Sequence, residues 1–371
     1  MLVFPLVILI ATFAASYQAH ADQLPIKIGG LIVITGQYAM QGNAFLEGAQ
    51  LAVDEVNQRG GIAGRPVEFR AEDTANLPMQ ALTAARKLIS EDQIIAAIST
   101  SYPELATGAN AFQKRGIPVV HLWDSSPDIE SMGENLFAIG PWTPSNGETS
   151  ARFAYRRLGA KTAVTISTSD PWSLLITDYF IGEFRKLGGK VLQSFSFDPQ
   201  ERDFRSAFAK VSNLGPDVVY APVTDNLVPF YSQLRQTRIK SAIVTSDVVA
   251  DEHIRQAPLA FEGIFISLMK DPSGPGISKL AVAYEKKFGR PMTLPWFVAV
   301  AYDGIHLITG CMEKVGAVSG KIRDCLASTH GIEGLTQTFS FTPGGSSPQF
   351  QSIFIVRNQK ITFHWDEGDR Q

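Results

Sequence analysis

Residues 26–72 read IKIGGLIVITGQYAMQGNAFLEGAQLAVDEVNQRGGIAGRPVEFRAE. Ile26–Ile34 is an apolar run that ends at Gly36. Ala44, Ala49, Ala52, Val53 and Val56 then recur at helical spacing, and Gly60-Gly61 stops the pattern. Val67–Glu72 is a second strand. Strand, helix and strand in this order predict a parallel pair joined by a crossover helix.

The same alternation extends along the chain. Ala81, Ala84, Ala85 and Leu88 make a second helix face. Ile94–Ile98 and Ile117–Leu122 are further strands, with a helix from about Pro103 to Arg115 between them. A second set starts near Ser145. It has a strand at Thr162–Ser167 and a helix from Pro171 with Ile176, Phe180, Phe184 and Leu187 on one face. Strands follow at Val191–Phe197, Val218–Ala221, Ala242–Thr245 and Gly263–Ser267. Two long helices come next, near Ser278–Phe288 and Trp296–Lys314. The tail differs: Gln337–Thr342, Gln351–Val356 and Ile361–His364 read as antiparallel strands around Gly344-Gly345 and Asn358. The fold class is therefore α/β, with two doubly wound parallel-sheet units of similar size. A chain of 371 residues exceeds what one core holds. No linker separates the halves, which suggests that the chain crosses between two lobes several times.

Composition removes several function classes. With 45% hydrophobic and 19% charged residues the chain is neither disordered nor fibrous. The 33 basic and 36 acidic residues give a net charge of −3, with no basic block to hold nucleic acid. At the N-terminus Leu2–Ala15 is nearly all apolar and Ala19-His20-Ala21 offers a small-x-small cleavage motif. Residues 1–21 therefore read as a signal peptide. The alternative is an uncleaved anchor, although the run is shorter than the about 20 residues of a membrane span. The expectation is a soluble, exported, periplasmic protein. Cys311 and Cys325 are the two cysteines. In an oxidising compartment they form either a disulfide or two buried thiols, and both readings stay open. No metal site is expected, because two Cys lack a nearby His cluster.

In open α/β sheets, ligands bind beyond the carboxyl ends of the strands. Those places carry Ser101-Tyr102-Pro103-Glu104, Trp123-Asp124-Ser125, Thr168-Ser169-Asp170-Pro171-Trp172 and Ser246-Asp247. Helix N-termini offer free N–H groups that suit an oxygen anion. Each residue also has a plainer reading. Ser101 and Ser125 cap helices, Trp123 and Trp172 pack, and Asp247 is a loop acid. The coincidence of hydroxyls, aromatics and acids at one edge in both units favours binding. The Gly-x-Ser-x-Gly elbow and His-Glu-x-x-His are missing, so neither an enzyme nor a cofactor is expected.

Some stretches resemble a known family. They are Ile26–Gly30 followed by Gly36–Gly42, and Ala52–Asn57 leading to Gly60–Val67. Ala84–Ile89, Gly116–Val119 and Ala301–Gly304 belong with them. They are similar to type I periplasmic substrate-binding proteins of ABC importers, in the branched-chain amino-acid and amide (Leu/Ile/Val-binding-protein-like) group. The resemblance implies two lobes joined by three hinge crossovers and closing on a ligand. Lobe 1 would hold residues 24–142 and 270–333, and lobe 2 residues 143–269 and 334–371. The crossovers would lie near Pro141–Thr143, Leu268–Asp271 and Glu333–Leu335. It implies a small-molecule solute, most simply an amino acid, handed to an ABC permease in the inner membrane. Carried over by position, Ser101, Tyr102, Asp124 and Ser125 meet the carboxylate, Asp247 the ammonium, and Trp172 packs on the ligand. Thr224 lies on another pocket loop, and Gln41 sits where many members have tyrosine. Trp123-Asp124 departs from the family's small pair. An acid beside a bound carboxylate is repulsive. Amide or urea solutes suit the acids better, and an aromatic acid would use the Trp pair but not the acids; these are the alternative, and a ligand-sensing role in signalling is another.

Overall fold

The computed structural model describes residues 24–269 and 271–366; the expected signal peptide lies outside them. The described residues form two compact units. One runs to Gly140 and resumes at Asp271–Pro348; the other takes 141–269 and resumes at Gln349.

In the first unit β1 (Ile26–Ile32), β2 (Val67–Asp73), β3 (Ala96–Ser99), β4 (Val119–His121) and β5 (Leu136–Ala138) form one parallel sheet in the order β2-β1-β3-β4-β5. Strand β5 is absent from the sequence reading: three residues are too few to show a period. Helix Ala39–Gln58 turns Phe45, Ala49, Ala52, Val53 and Val56 into the core. Gly48 lets it approach helix Pro295–Val315, because a Cβ there would lie 2.1 Å from the Val298 carbonyl oxygen. Cys311, near the end of that helix, is disulfide-bonded to Cys325 on helix Ser319–Ala327. The disulfide is the alternative that holds.

In the second unit β6 (Thr162–Thr168), β7 (Lys190–Phe197), β8 (Val218–Tyr220), β9 (Ala242–Thr245) and β10 (Phe265–Leu268) are parallel. Their sheet continues with two tail strands. Beyond the short hairpin β11 (Ile332–Glu333) and β12 (Thr338–Phe339), the tail forms β13 (Ser352–Arg357) and β14 (Lys360–Trp365). The full order is β14-β13-β10-β9-β8-β6-β7, with β13 antiparallel to both β10 and β14. Strand order reverses between β1 and β3 in the first sheet and between β6 and β8 in the second. Ligand crevices of open α/β sheets lie at such reversals.

One expectation is corrected. The third passage between units does not lie near Glu333–Leu335; residues through Pro348 stay with the first unit. Buried Asp303 holds them, accepting hydrogen bonds from Leu335 N (2.8 Å), Thr336 N (2.8 Å) and Thr336 Oγ1 (2.7 Å). Phe341 packs on Phe137 at 5.2 Å between ring centroids, and Ser346 bridges to Ala138. Among the described residues, no helix is long and apolar enough to cross a membrane.

Candidate functional site

In the first unit the exits of β3 and β4 carry the site residues. Ser101 starts a helical stretch beginning at Tyr102, and Glu104 reaches back to its backbone N–H, the acidic half of the capping box that the spacing predicts. Thr100 N and Ser101 N donate to Glu104 Oε2 at 2.6 and 2.8 Å, and the Thr74 hydroxyl donates to Oε1. Glu104 is fully buried. Burial outweighs these hydrogen bonds and pushes its carboxyl up to about 8. Tyr102 is exposed, and its phenol is raised first by desolvation and then by the negative charges of Asp128 and Asp124.

Trp123 is half-buried in a ring cluster with Tyr38 (5.6 Å), Phe45 (5.5 Å) and Phe297 (5.7 Å). Such edge-on contacts each add about 0.5–1.5 kcal/mol. These rings hold the indole in place, and part of its surface stays open to solvent. Next to it, Asp124 Oδ1 lies 2.5 Å from Nε2 of fully buried His121, whose Nδ1 lies 2.9 Å from Ser99 Oγ. Ser125 donates its hydroxyl to the Gly140 carbonyl at 2.9 Å. Gly140 itself packs under the Trp123–Asp124 peptide, where a Cβ would lie 2.4 Å from Asp124 N. Gln41 occupies the first turn of helix Ala39–Gln58, three residues from Tyr38. Its Oε1 is buried with no hydrogen-bond partner among the described residues.

In the second unit Asp170 caps helix Pro171–Lys186 by accepting from Ser173 N at 2.9 Å. Trp172 is half-buried in that helix's first turn. Thr224 N donates to Thr168 Oγ1 at 2.9 Å, joining the ends of β6 and β8 across the order reversal. The Thr224 hydroxyl lies 3.0 Å from Asp170 Oδ2 and 2.9 Å from Asp225 Oδ2. Asp247 follows β9 and keeps solvent access. Its oxygens have only long contacts, with Asn146 Nδ2 and Gln351 Nε2 each at 3.5 Å. The protein around it desolvates the carboxyl and moves it up to about 6, with the Asn146 hydrogen bond pulling the other way. Buried Ser246 Oγ and Asn146 Oδ1 have no hydrogen-bond partner among the described residues.

The structure thus brings Tyr102, Trp123, Asp124 and Ser125 to one sheet edge, and Trp172, Thr224 and Asp247 to another, each within its own unit. Sequence reading misses Ser99, His121, Asn146 and Gln351. His121 sits inside an apolar strand and reads as core, and Ser99 stands directly at the end of one with no pattern to mark it. Asn146 and Gln351 reach Asp247 across sequence separations of 101 and 104, so no local pattern marks them. Among the described residues, no group of three His, Cys, Asp or Glu side chains could hold a metal.

Comparison with known proteins adds relatives along the whole chain. A Leu/Ile/Val-binding protein homolog of Brucella melitensis is 23% identical over 366 residues, covering 96% of this chain and 95% of that protein. A branched-chain amino-acid transporter substrate-binding protein of Streptococcus pneumoniae, solved with isoleucine, superposes with a TM-score of 0.77 at 24% identity. That match covers 91% of this chain and 98% of the other. A solute-binding protein of Rhodopseudomonas palustris, solved with benzoate, gives 0.72 at 20% identity over 93% and 98%. At such identities the solved structures establish the fold, which is the type I periplasmic-binding-protein architecture of two α/β units. The family described as periplasmic binding protein matches residues 25–358. The chain belongs to the periplasmic binding protein family.

Proposed function

We propose that the chain is the extracytoplasmic solute-binding component of an ABC importer, and that it takes a small polar solute of the amino-acid class. The observation that carries this reading is Asp247. It is a solvent-reaching acid at a strand exit, with no ion pair among the described residues and two side-chain amides at 3.5 Å. Asp170 and Asp225 at the neighbouring exits, which share the Thr224 hydroxyl, have no basic partner among the described residues. An ammonium group is the natural complement. The Leu/Ile/Val-binding relatives and the isoleucine complex support an amino acid. A permease of the inner membrane is the proposed receiver of the loaded protein. The disulfide supports an oxidising compartment, and residues 1–21 supply the export signal.

The test is a thermal-shift and calorimetric panel of amino acids, amides, urea and aromatic acids on protein that has been unfolded and refolded to strip carried solute. Ligand at 1,000 times its dissociation constant stabilises by about 4 kcal/mol, which is a readable shift. Asp247→Ala is expected to abolish binding of every ammonium-bearing ligand while the chain still folds. Unchanged affinity removes Asp247 from the site. A second reading, in which the solute is an amide or urea, is favoured by Asp124, which places an acid where a carboxylate is expected.

A further inference from the structure

Asp124 is a supported acid rather than a loop acid. A carboxylate only accepts hydrogen bonds, so His121 Nε2 carries the proton shared at 2.5 Å. Its Nδ1 lies 2.9 Å from Ser99 Oγ. Ser99 on β3 thus supports His121 on β4, and His121 donates to Asp124. Both supporting side chains are fully buried, so this chain of three offers no nucleophile to solvent and works as a brace. The peptide beneath is fixed as well, since Gly140 leaves no space for it to move back.

The brace occupies Oδ1 and leaves Oδ2, on a side chain that is 25% exposed. Among the described residues neither Lys nor Arg pairs with Asp124. Asp128 adds negative charge nearby, as its effect on Tyr102 shows. The half-buried Gln41 amide begins the helix whose preceding residue, Tyr38, packs on Trp123. A solute carboxylate at this edge meets like charge, whereas an N–H group meets a fixed acceptor.

We propose that Asp124, braced by His121 and Ser99, determines specificity by accepting a hydrogen bond from an N–H group of the solute. The chain then selects solutes that present a primary amide or a comparable N–H donor to Asp124 over those that present a carboxylate there. This deepens, and rests on, the solute-binding reading above.

The test uses matched pairs that differ only in that group: leucine and leucinamide, valine and valinamide, alanine and alaninamide. Dissociation constants are measured by calorimetry on the refolded full chain. Wild type is expected to prefer the amide member at least tenfold. Asp124→Asn, which can donate to a carboxylate, is expected to erase or reverse that preference. His121→Phe removes the brace and is expected to shrink the ratio. The ratio within a pair is the readout, because a general loss of fold weakens both members alike. Equal or tighter binding of the carboxylate member by wild type overturns the inference and leaves the amino-acid reading standing. So does an unchanged ratio in Asp124→Asn. Binding of neither series overturns both.

Discussion

Asp247 was legible as a strand-exit acid, but its environment was not. The residue type and its place after Ala242–Thr245 are local, whereas the desolvation that lifts its carboxyl to about 6 comes from the packed unit. That lift has a sign. An acid whose folded value lies above its ordinary 3.8 is held neutral at low pH, and the folded state loses this contribution as pH rises through about 6. A bound ammonium reverses the preference, because it needs the ionised form. Affinity for an ammonium-bearing solute is therefore expected to be full above about pH 7. It should fall toward tenfold per unit below about pH 6. Calorimetry in two buffers of different ionisation enthalpy checks this: proton release should accompany binding at pH 5.5 and vanish at pH 8. Binding without proton release at pH 5.5 means that Asp247 does not face the ammonium. For Trp123 the strand-exit position is likewise local, whereas the Tyr38, Phe45 and Phe297 rings that pack on it are not. Those partners come from two helices far apart in sequence, so nothing near Trp123 announces them.

At the scale of elements, the start of the helical stretch after β3 shows what short-range pattern can and cannot tell. Ser-x-x-Glu predicts a capping box, and its Glu104 half forms, with Ser101 N donating to the carboxylate. What the pattern hides is that Glu104 is wholly buried, with Thr74 from beyond β2 as a side-chain partner. Its carboxyl rises from 4.5 to about 8, so the neutral acid is the form the fold favours. Its contribution is complete below about pH 4.5 and is lost as pH rises toward about 8. The loss is on the order of a few kcal/mol. Glu104→Gln keeps an oxygen to accept from Thr100 N and Ser101 N and an amide to meet Thr74, with no charge to bury. The variant is expected to match wild type in urea midpoint near pH 5 and to exceed it near pH 9. Parallel curves across that range would show that Glu104 carries no such penalty. The strands divide in the same way. Long runs with glycine stops, such as β1 and its helix, are evident from spacing, while three-residue β5 is defined only by its pairing with β4.

For the whole molecule, alternation of strand and helix was enough to give two doubly wound units, and the missing linker was enough to give repeated passages of the chain. The boundary that went astray is instructive. Residues 334–348 carry turns and short β segments like the tail beyond them, so composition does not separate the two. Asp303, buried in helix Pro295–Val315, does so by binding Leu335 and Thr336 into the first unit. The disulfide acts within that same unit. It closes a separation of 14 residues, which in the chain-entropy account contributes about 3 kcal/mol, and it leaves the passages between units free. Three separate passages are compatible with a hinge, since each strand can absorb a small backbone rotation without unfolding either core. If the chain works as the clamp its family resemblance implies, loading must change the solution dimensions while both units keep their internal packing. Small-angle scattering of stripped protein, with and without a saturating solute from the panel, is expected to show a smaller radius of gyration on loading and an unchanged far-ultraviolet spectrum. Equal radii would mean that solute binds without closure, and a permease could then recognise loading only through the solute itself.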